Sequence, residues 1–322
     1  MNRKITFRNL WEVLKNSFSG FMDDNVTKLG GSLAYFTVFS VGPMLVVIIS
    51  VCSIFLGREA IEGEIYAQLE GFLGKDTAAQ LQDIIKKAAV SGKSTVAAVI
   101  GVGTLLLGAT GIFAEIQDSI NRIWGIKAKP KKGWLKIIQN RFLSFSVIIS
   151  LGFLLLVSLA VTSVLDGFNQ HLQAAFPDVT IVLFYIINQV VTFTVITILF
   201  GVIFKVLPDA KIIWKDVMAG SMLTALLFML GKFGISFYIS KTEVGSTYGA
   251  AGSLAVLLVW IYYSSLILYF GAEFTKAYAL QFGSAIYPND YAITVKEVEI
   301  ENGKDSIQTN EKKKKQLADK GS

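Results

Sequence analysis

The sequence predicts an all-α, polytopic membrane protein with six transmembrane helices and an extracytoplasmic helical hairpin between helices 1 and 2. Three observations carry this. The 322-residue chain is 53% hydrophobic and 17% charged, with a mean hydropathy of +0.55; soluble domains run at roughly 45–50% and about 25%. Apolar runs recur along it at about 20 residues each, the length that crosses a bilayer as a helix. Lys and Arg crowd into alternate connections, as they do on the cytoplasmic side of membrane proteins.

Residues 7 to 21 carry Phe7, Leu10, Trp11, Leu14, Phe18 and Phe21 on one side and Arg8, Glu12, Lys15 and Asn16 on the other. That pattern predicts an amphipathic helix. It either lies in the inner membrane interface or packs on the underside of the protein itself. Residues 1–28 are therefore a cytoplasmic amphipathic segment, and no cleavable signal peptide is expected.

Residues 29–280 form the six-helix membrane domain. The first span, 29–56, contains Pro43 near its middle, with Thr37, Ser40 and Ser50 around it. Proline removes a helical hydrogen bond and predicts a kink. Cys52, in the same run, is the single cysteine of the chain. It reads as a small buried hydrophobe, and no disulfide can form within the chain. Residues 58–92 are polar with two apolar stripes, Ile61, Ile65, Leu69, Phe72 and then Ala78, Leu81, Ile84, Ile85, Ala88. They predict the helical hairpin outside the membrane.

The second span, 95–124, has a seam at steps of four and three: Ala97, Gly101, Thr104, Gly108, Gly111, then Glu115, Asp118 and Arg122. The seam is about 38 Å long at 1.5 Å per residue. Small residues on a membrane helix call for another helix or a cavity against them, and close packing on the kinked first span explains the upper part best. Spans three to six follow at 142–165, 181–206, 217–240 and 252–276. The 125–141 connection carries Lys127, Lys129, Lys131, Lys132, Lys136 and Arg141 without an acidic residue; 166–180 carries none of either base. This bias puts both termini in the cytoplasm. Residues 281–322 read as a charged, mostly disordered cytoplasmic tail ending in Lys312 to Lys315, suited to anionic lipid.

Intramembrane polarity marks the candidate site, because charge in a span is costly and calls for a partner. Glu115, Asp118 and Arg122 share a depth with Glu273 and Asp209, and with Asp216, Lys205, Lys211 and Lys215. Such a polar ring is either a network that fixes helix ends or a substrate path or gate. Lys232, between Gly231 and Gly234, and Tyr248, in a glycine-rich loop from Gly245 to Ser253, lie in the outer zone with Asn188 and Gln189. Free N–H groups at such a loop attract anions, although the segment also reads as a tight turn.

Several signals fail on inspection. Ser91-Gly92-Lys93-Ser94 ends like a phosphate loop, but Lys87 stands where the pattern needs glycine. His171 is the only histidine and has no partner for a zinc site. Asn25-Val26-Thr27 fits a glycosylation pattern on the wrong side of the membrane. No metal, cofactor or catalytic residue is expected, and an enzyme is disfavoured for want of a nucleophile–base pair.

Gly30-Gly31-Ser32-Leu33-Ala34-Tyr35-Phe36 leading to Pro43 resembles the first-span signature of the YihY/BrkB family of bacterial inner-membrane proteins. So do Leu207-Pro208-Asp209, Trp214-Lys215-Asp216 with Gly220, Tyr248 to Ser253, Trp260-Ile261-Tyr262-Tyr263 and Gly271-Ala272-Glu273. The resemblance covers about residues 10 to 280. It implies a six-helix protein of the cytoplasmic membrane with a loose link to envelope lipid traffic and serum resistance. The family also carries an old ribonuclease label, which the residues do not support: there is no histidine pair, metal cluster or nucleic-acid domain. The leading expectation is a transporter or flippase of an anionic envelope lipid or amphiphile, without its own ATPase. The alternatives are a small ion or solute transporter or channel, and a non-transporting envelope scaffold. Membrane lipids are the expected partners and nucleic acid is not; a homo-oligomer and envelope-biogenesis partners are compatible with either reading.

Overall fold

A computed structural model describes residues 6–56, 95–129, 177–242, 251–283 and 285–295, with scattered positions between 59 and 82. Within them, six long helices run in order: α1 (Phe7–Asp23), α2 (Val26–Leu56), α3 (Thr95–Ile123), α4 (Pro177–Val206), α5 (Trp214–Thr242) and α6 (Gly252–Phe282). Four short strands join them: β1 (Ile126–Ala128), β2 (Ala210–Lys211), β3 (Tyr287–Pro288) and β4 (Ala292–Thr294). The third expected span, 142–165, lies outside the described residues. So do His171, Tyr248 and most of the expected hairpin.

Four of the helices are long and apolar enough to cross a membrane: Val26–Ile49 of α2, Gln189–Val206 of α4, Trp214–Ile235 of α5 and Leu254–Phe282 of α6. Their outer faces are apolar as well. Tyr35, Phe39, Leu226, Leu230, Phe233 and Phe237 are all exposed, an arrangement that water does not tolerate at this density and lipid does.

Helix ends follow local chemistry. α4 stops ahead of Leu207-Pro208, because proline has no N–H to continue the ladder. Asp216 sits in the first turn of α5, where a negative charge meets the positive end of the helix dipole. Beyond the end of α3, Gly125 takes φ +65°, and a side chain there would press on the Val295 carbonyl.

α6 is the centre. It packs against α5, α2, α1 and α3, while α2 pairs with α3 and α4 with α5. The largest buried cluster joins Leu29 and Leu33 of α2 to Phe113, Ile116 and Ile120 of α3. It continues through Phe200 and Phe204 of α4 to Leu268, Tyr269 and Ala272 of α6.

The seam of α3 meets α2. A side chain on Gly108 would contact the Pro43 ring, and one on Gly111 would contact the Ser40 hydroxyl. The two helices are antiparallel, and the glycines make room for the proline. α2 continues as one helix through Pro43, so the proline does not break it. At the α5–α6 contact, Gly220 lies on Thr275 and Gly271 on Thr224. Each threonine hydroxyl donates to the carbonyl of the glycine four residues back in its own helix, at 2.7 Å.

The folded unit runs past residue 280. β3 pairs antiparallel with β2, Lys211 opposite Tyr287, and β4 pairs with β1, Lys127 opposite Ile293. Residues 285–295 thus stitch together the connections that follow α3 and α4. The all-helical expectation missed these strands because two- and three-residue pairings leave no periodic signal. Charged residues in this stretch also resemble those of a disordered tail.

Candidate functional site

The start of α2, the end of α3, the end of α4, the start of α5 and the end of α6 meet at one end of the bundle, termed basal here. Two of its buried carboxylates, Asp209 and Glu273, each centre a polar group among the described residues.

The first is centred on Asp209, just after α4 and 2% exposed. Its carboxylate accepts hydrogen bonds from Gln117 Nε2 at 3.2 Å, Asn121 Nδ2 at 3.0 Å and the Tyr291 hydroxyl at 3.0 Å. Its N–H donates to Asn121 Oδ1 at 2.8 Å, and its carbonyl accepts from the Asn289 N–H at 2.9 Å. Gln117 and Asn121 are one turn apart on α3 and present side by side. The group therefore ties α3, the α4–α5 connection and the C-terminal strands together. Burying a carboxylate is costly unless hydrogen-bond donors surround it, and here three side chains supply them.

The second joins α1, α3 and α6. Lys276 Nζ lies 3.4 Å from Asp24 Oδ2 and 3.7 Å from Glu273 Oε2, and donates to the Ile123 carbonyl at 2.5 Å. Glu273 is 2% exposed. Its Oε2 is engaged with Lys276, while its Oε1 has no hydrogen-bond partner among the described residues. Gly20 of α1 lies against this carboxylate, where a larger side chain would collide with it. Nearby, Trp124 Nε1 donates to the Ala272 carbonyl at 3.1 Å, locking α3 to α6. The buried acid sits beside one ammonium and a second carboxylate.

The residues singled out in the sequence divide accordingly. Asp209 and Glu273 are buried centres of two separate groups. Asp216 is buried with its carboxylate against Gly283. Glu115 is half-buried, and Asp118 and Arg122 are exposed. Lys205 donates to the Ile212 carbonyl. Lys211 pairs with Asp290 at 2.6 Å on the surface, and that hydrogen bond holds the Asp290 carboxyl below its ordinary range. In place of one ring, the structure has two nodes and a surface pair. Lys232 is half-buried in α5, beside Gly231, against which the Tyr263 hydroxyl packs.

Gln117, Asn121, Tyr291, Asp24 and Lys276 escaped the sequence reading. Gln117 and Asn121 lie one residue step, about 100°, around α3 from Asp118 and Arg122. Neutral amides on that face gave less warning than charge. Among the described residues, no cluster of three or more His, Cys, Asp or Glu has a geometry that could hold a metal ion.

Comparison with known proteins decides the family. The virulence factor BrkB family matches residues 17–290. The chain belongs to that family. Its relatives include a UPF0761 membrane protein of Pseudoalteromonas atlantica, 28% identical over 254 residues, covering 78% of this chain and 81% of the relative. One of Alteromonas mediterranea is 25% identical over 280 residues, covering 84% and 90%. One of Aeromonas salmonicida is 27% identical over 265 residues, covering 80% and 86%. No solved structure matches the chain. With the apolar helices of the bundle, these likenesses establish a BrkB-family integral membrane protein.

Proposed function

We propose that this BrkB-family protein is a transporter, acting as a flippase for an anionic envelope lipid or amphiphile and drawing on an ion or substrate gradient. In this reading it spans the bacterial inner membrane six times with both termini in the cytoplasm, so the basal end faces the cytoplasm. Lys129 lies at the basal end and Pro177 at the opposite one, so this reading requires a crossing between them.

The observation that carries the reading is Glu273. Its carboxylate is buried among α1, α3 and α6, with Oε1 lacking a hydrogen-bond partner among the described residues. Two carboxylates share one ammonium at this point, which leaves one carboxyl for a transferable proton or cation. Ionisable groups of this kind inside membrane helices serve ion and substrate paths. Lys232, in α5 nearer the opposite end, offers a positive charge to an anionic headgroup. The seam of α3 is a packing surface at Gly108 and Gly111, so the path is assigned to the α1–α3–α6 contact instead.

The test is translocation of headgroup-labelled phosphatidylglycerol in proteoliposomes. Glu273→Gln, Glu115→Gln and Lys232→Ala should each lower the rate at least several-fold while the protein inserts at wild-type levels. Full activity in all three would end the polar-path reading. Efflux of a small entrapped ion without movement of the labelled lipid would assign the same residues to an ion or solute transporter.

A further inference from the structure

We infer that α1 is a leaflet-bound helix: one arc is seated on α6, and the arc beside it enters the boundary between headgroups and acyl chains. This stands whether or not the protein moves a lipid.

At 100° per residue, the surface of α1 divides into three arcs. Leu10, Val13, Ser17, Gly20 and Phe21 form the first. Val13 and Ser17 are fully buried; Leu10 and Val13 pack with Phe274, Ala277 and Tyr278 of α6, and with Ala219 and Leu223 of α5. Glu12 accepts a hydrogen bond from Gln281 Nε2 at 3.2 Å, and Asp24, just past the helix, meets Lys276. α1 is thus fixed across the basal ends of two membrane helices.

The second arc holds Phe7, Trp11, Phe18 and Met22, at 86, 62, 59 and 59% exposure. The four recur at i, i+4, i+11 and i+15, a single apolar stripe with no covering element among the described residues. The third arc is polar and ordered. Lys15 and Arg8 border the apolar stripe, and Asp23, Asn16 and Asn9 lie beyond them. Apolar, then basic, then acidic or neutral is the sequence of environments met on leaving an anionic leaflet: acyl chains, phosphates, water.

Continuity identifies the occupant as lipid. α6, which carries α1, is apolar enough to span as far as Phe282, and Leu280 on its last turn is 70% exposed. The stripe therefore lies beside the edge of the apolar belt, where Trp and Phe are favoured. Because the seated arc includes Gly20 on Glu273, the leaflet grips the helix that closes over this acid.

The test uses the full chain in nanodiscs of phosphatidylethanolamine and phosphatidylglycerol, on a Cys52→Ser background. Nitroxides are attached after Trp11→Cys, Phe18→Cys, Lys15→Cys and Asn16→Cys, one at a time. Relaxation by oxygen, which partitions into lipid, is compared with relaxation by a water-soluble nickel chelate. The expected oxygen-to-nickel ratio is at least several-fold higher at 11 and 18 than at 16, with 15 between them. Equal ratios at 11, 18 and 16 would put the stripe in water and overturn the inference. Protection of 11 and 18 from both reagents would also overturn it, by assigning the stripe to a protein partner. Should a label disturb insertion, Met22→Cys carries the same comparison on the same stripe.

Discussion

Asp209 shows what a single residue does at the basal end. Three side-chain donors from two parts of the chain converge on its carboxylate. Asp209→Ala would leave Gln117 and Asn121 buried with unpaired amides and remove the anchor for Tyr291. The expected loss is about 3 kcal/mol of stability, since orphaned buried partners cost more than the bond itself is worth. Asp209→Asn keeps one acceptor oxygen and should lose roughly half as much. Thermal unfolding in detergent measures both. An alanine variant within about 0.5 kcal/mol of wild type, the range of an ordinary surface substitution, would show that the node is not holding the fold. The Lys211–Asp290 pair is the contrast. Its depressed carboxyl pKa means that its contribution is present above the ordinary aspartate range and lost as pH falls through the lowered value. The pair is exposed to solvent, so that contribution is screened and small.

At the scale of elements, the α5–α6 contact depends on absence of side chains. Gly220 meets Thr275 and Gly271 meets Thr224, a reciprocal arrangement of two glycine–threonine pairs spaced by four on antiparallel helices. A methyl at either glycine overlaps the facing threonine, and moving the hydroxyl would break its bond to its own helix. Gly220→Ala and Gly271→Ala are expected to destabilise by about 1–3 kcal/mol each, as overpacking does. Gly31→Ala is the control: among the described residues nothing lies within 4 Å of a side chain there. It should be neutral or gain up to about 1 kcal/mol from helix propensity. Equal melting temperatures for all three would remove the interlock as a determinant of the bundle. The seam of α3 was legible in the sequence at Gly108 and Gly111, down to its partner, because small residues at steps of four and three let a neighbouring helix approach closely. The α5–α6 interlock was less so, since neither Gly220 nor Gly271 has a second glycine three or four residues away in its helix. The strands Tyr287–Pro288 and Ala292–Thr294 were not legible at all. What makes them is not local propensity but pairing with connections 76 and more residues away in sequence.

For the whole molecule, orientation is the property on which the functional reading depends, and the basal end provides the means to test it. Lys129 N–H donates to the Tyr291 carbonyl at 2.8 Å, so these connections share one end of the bundle. α1 joins them through Asp24 and Lys276. α2 and α3 run antiparallel, which places Glu62, between them, at the other end. Asp209, Asp216 and Glu273 were legible one by one as costly charges, but their partners and grouping were not, because depth alone does not say which face of a helix a side chain uses. In a Cys52→Ser background, cysteines replacing Lys15, Lys129 and Asp290, all exposed except for the ion pair at 290, are expected to resist a membrane-impermeant maleimide in intact spheroplasts. They should react once the membrane is opened. A cysteine replacing Glu62 should react from outside in intact spheroplasts. Reaction of 15, 129 and 290 from outside, with 62 protected, would invert the molecule and turn Glu273 toward the periplasmic face. Reaction of 15 and 62 from the same side would be worse for the scheme, since it would deny that α2 crosses the membrane.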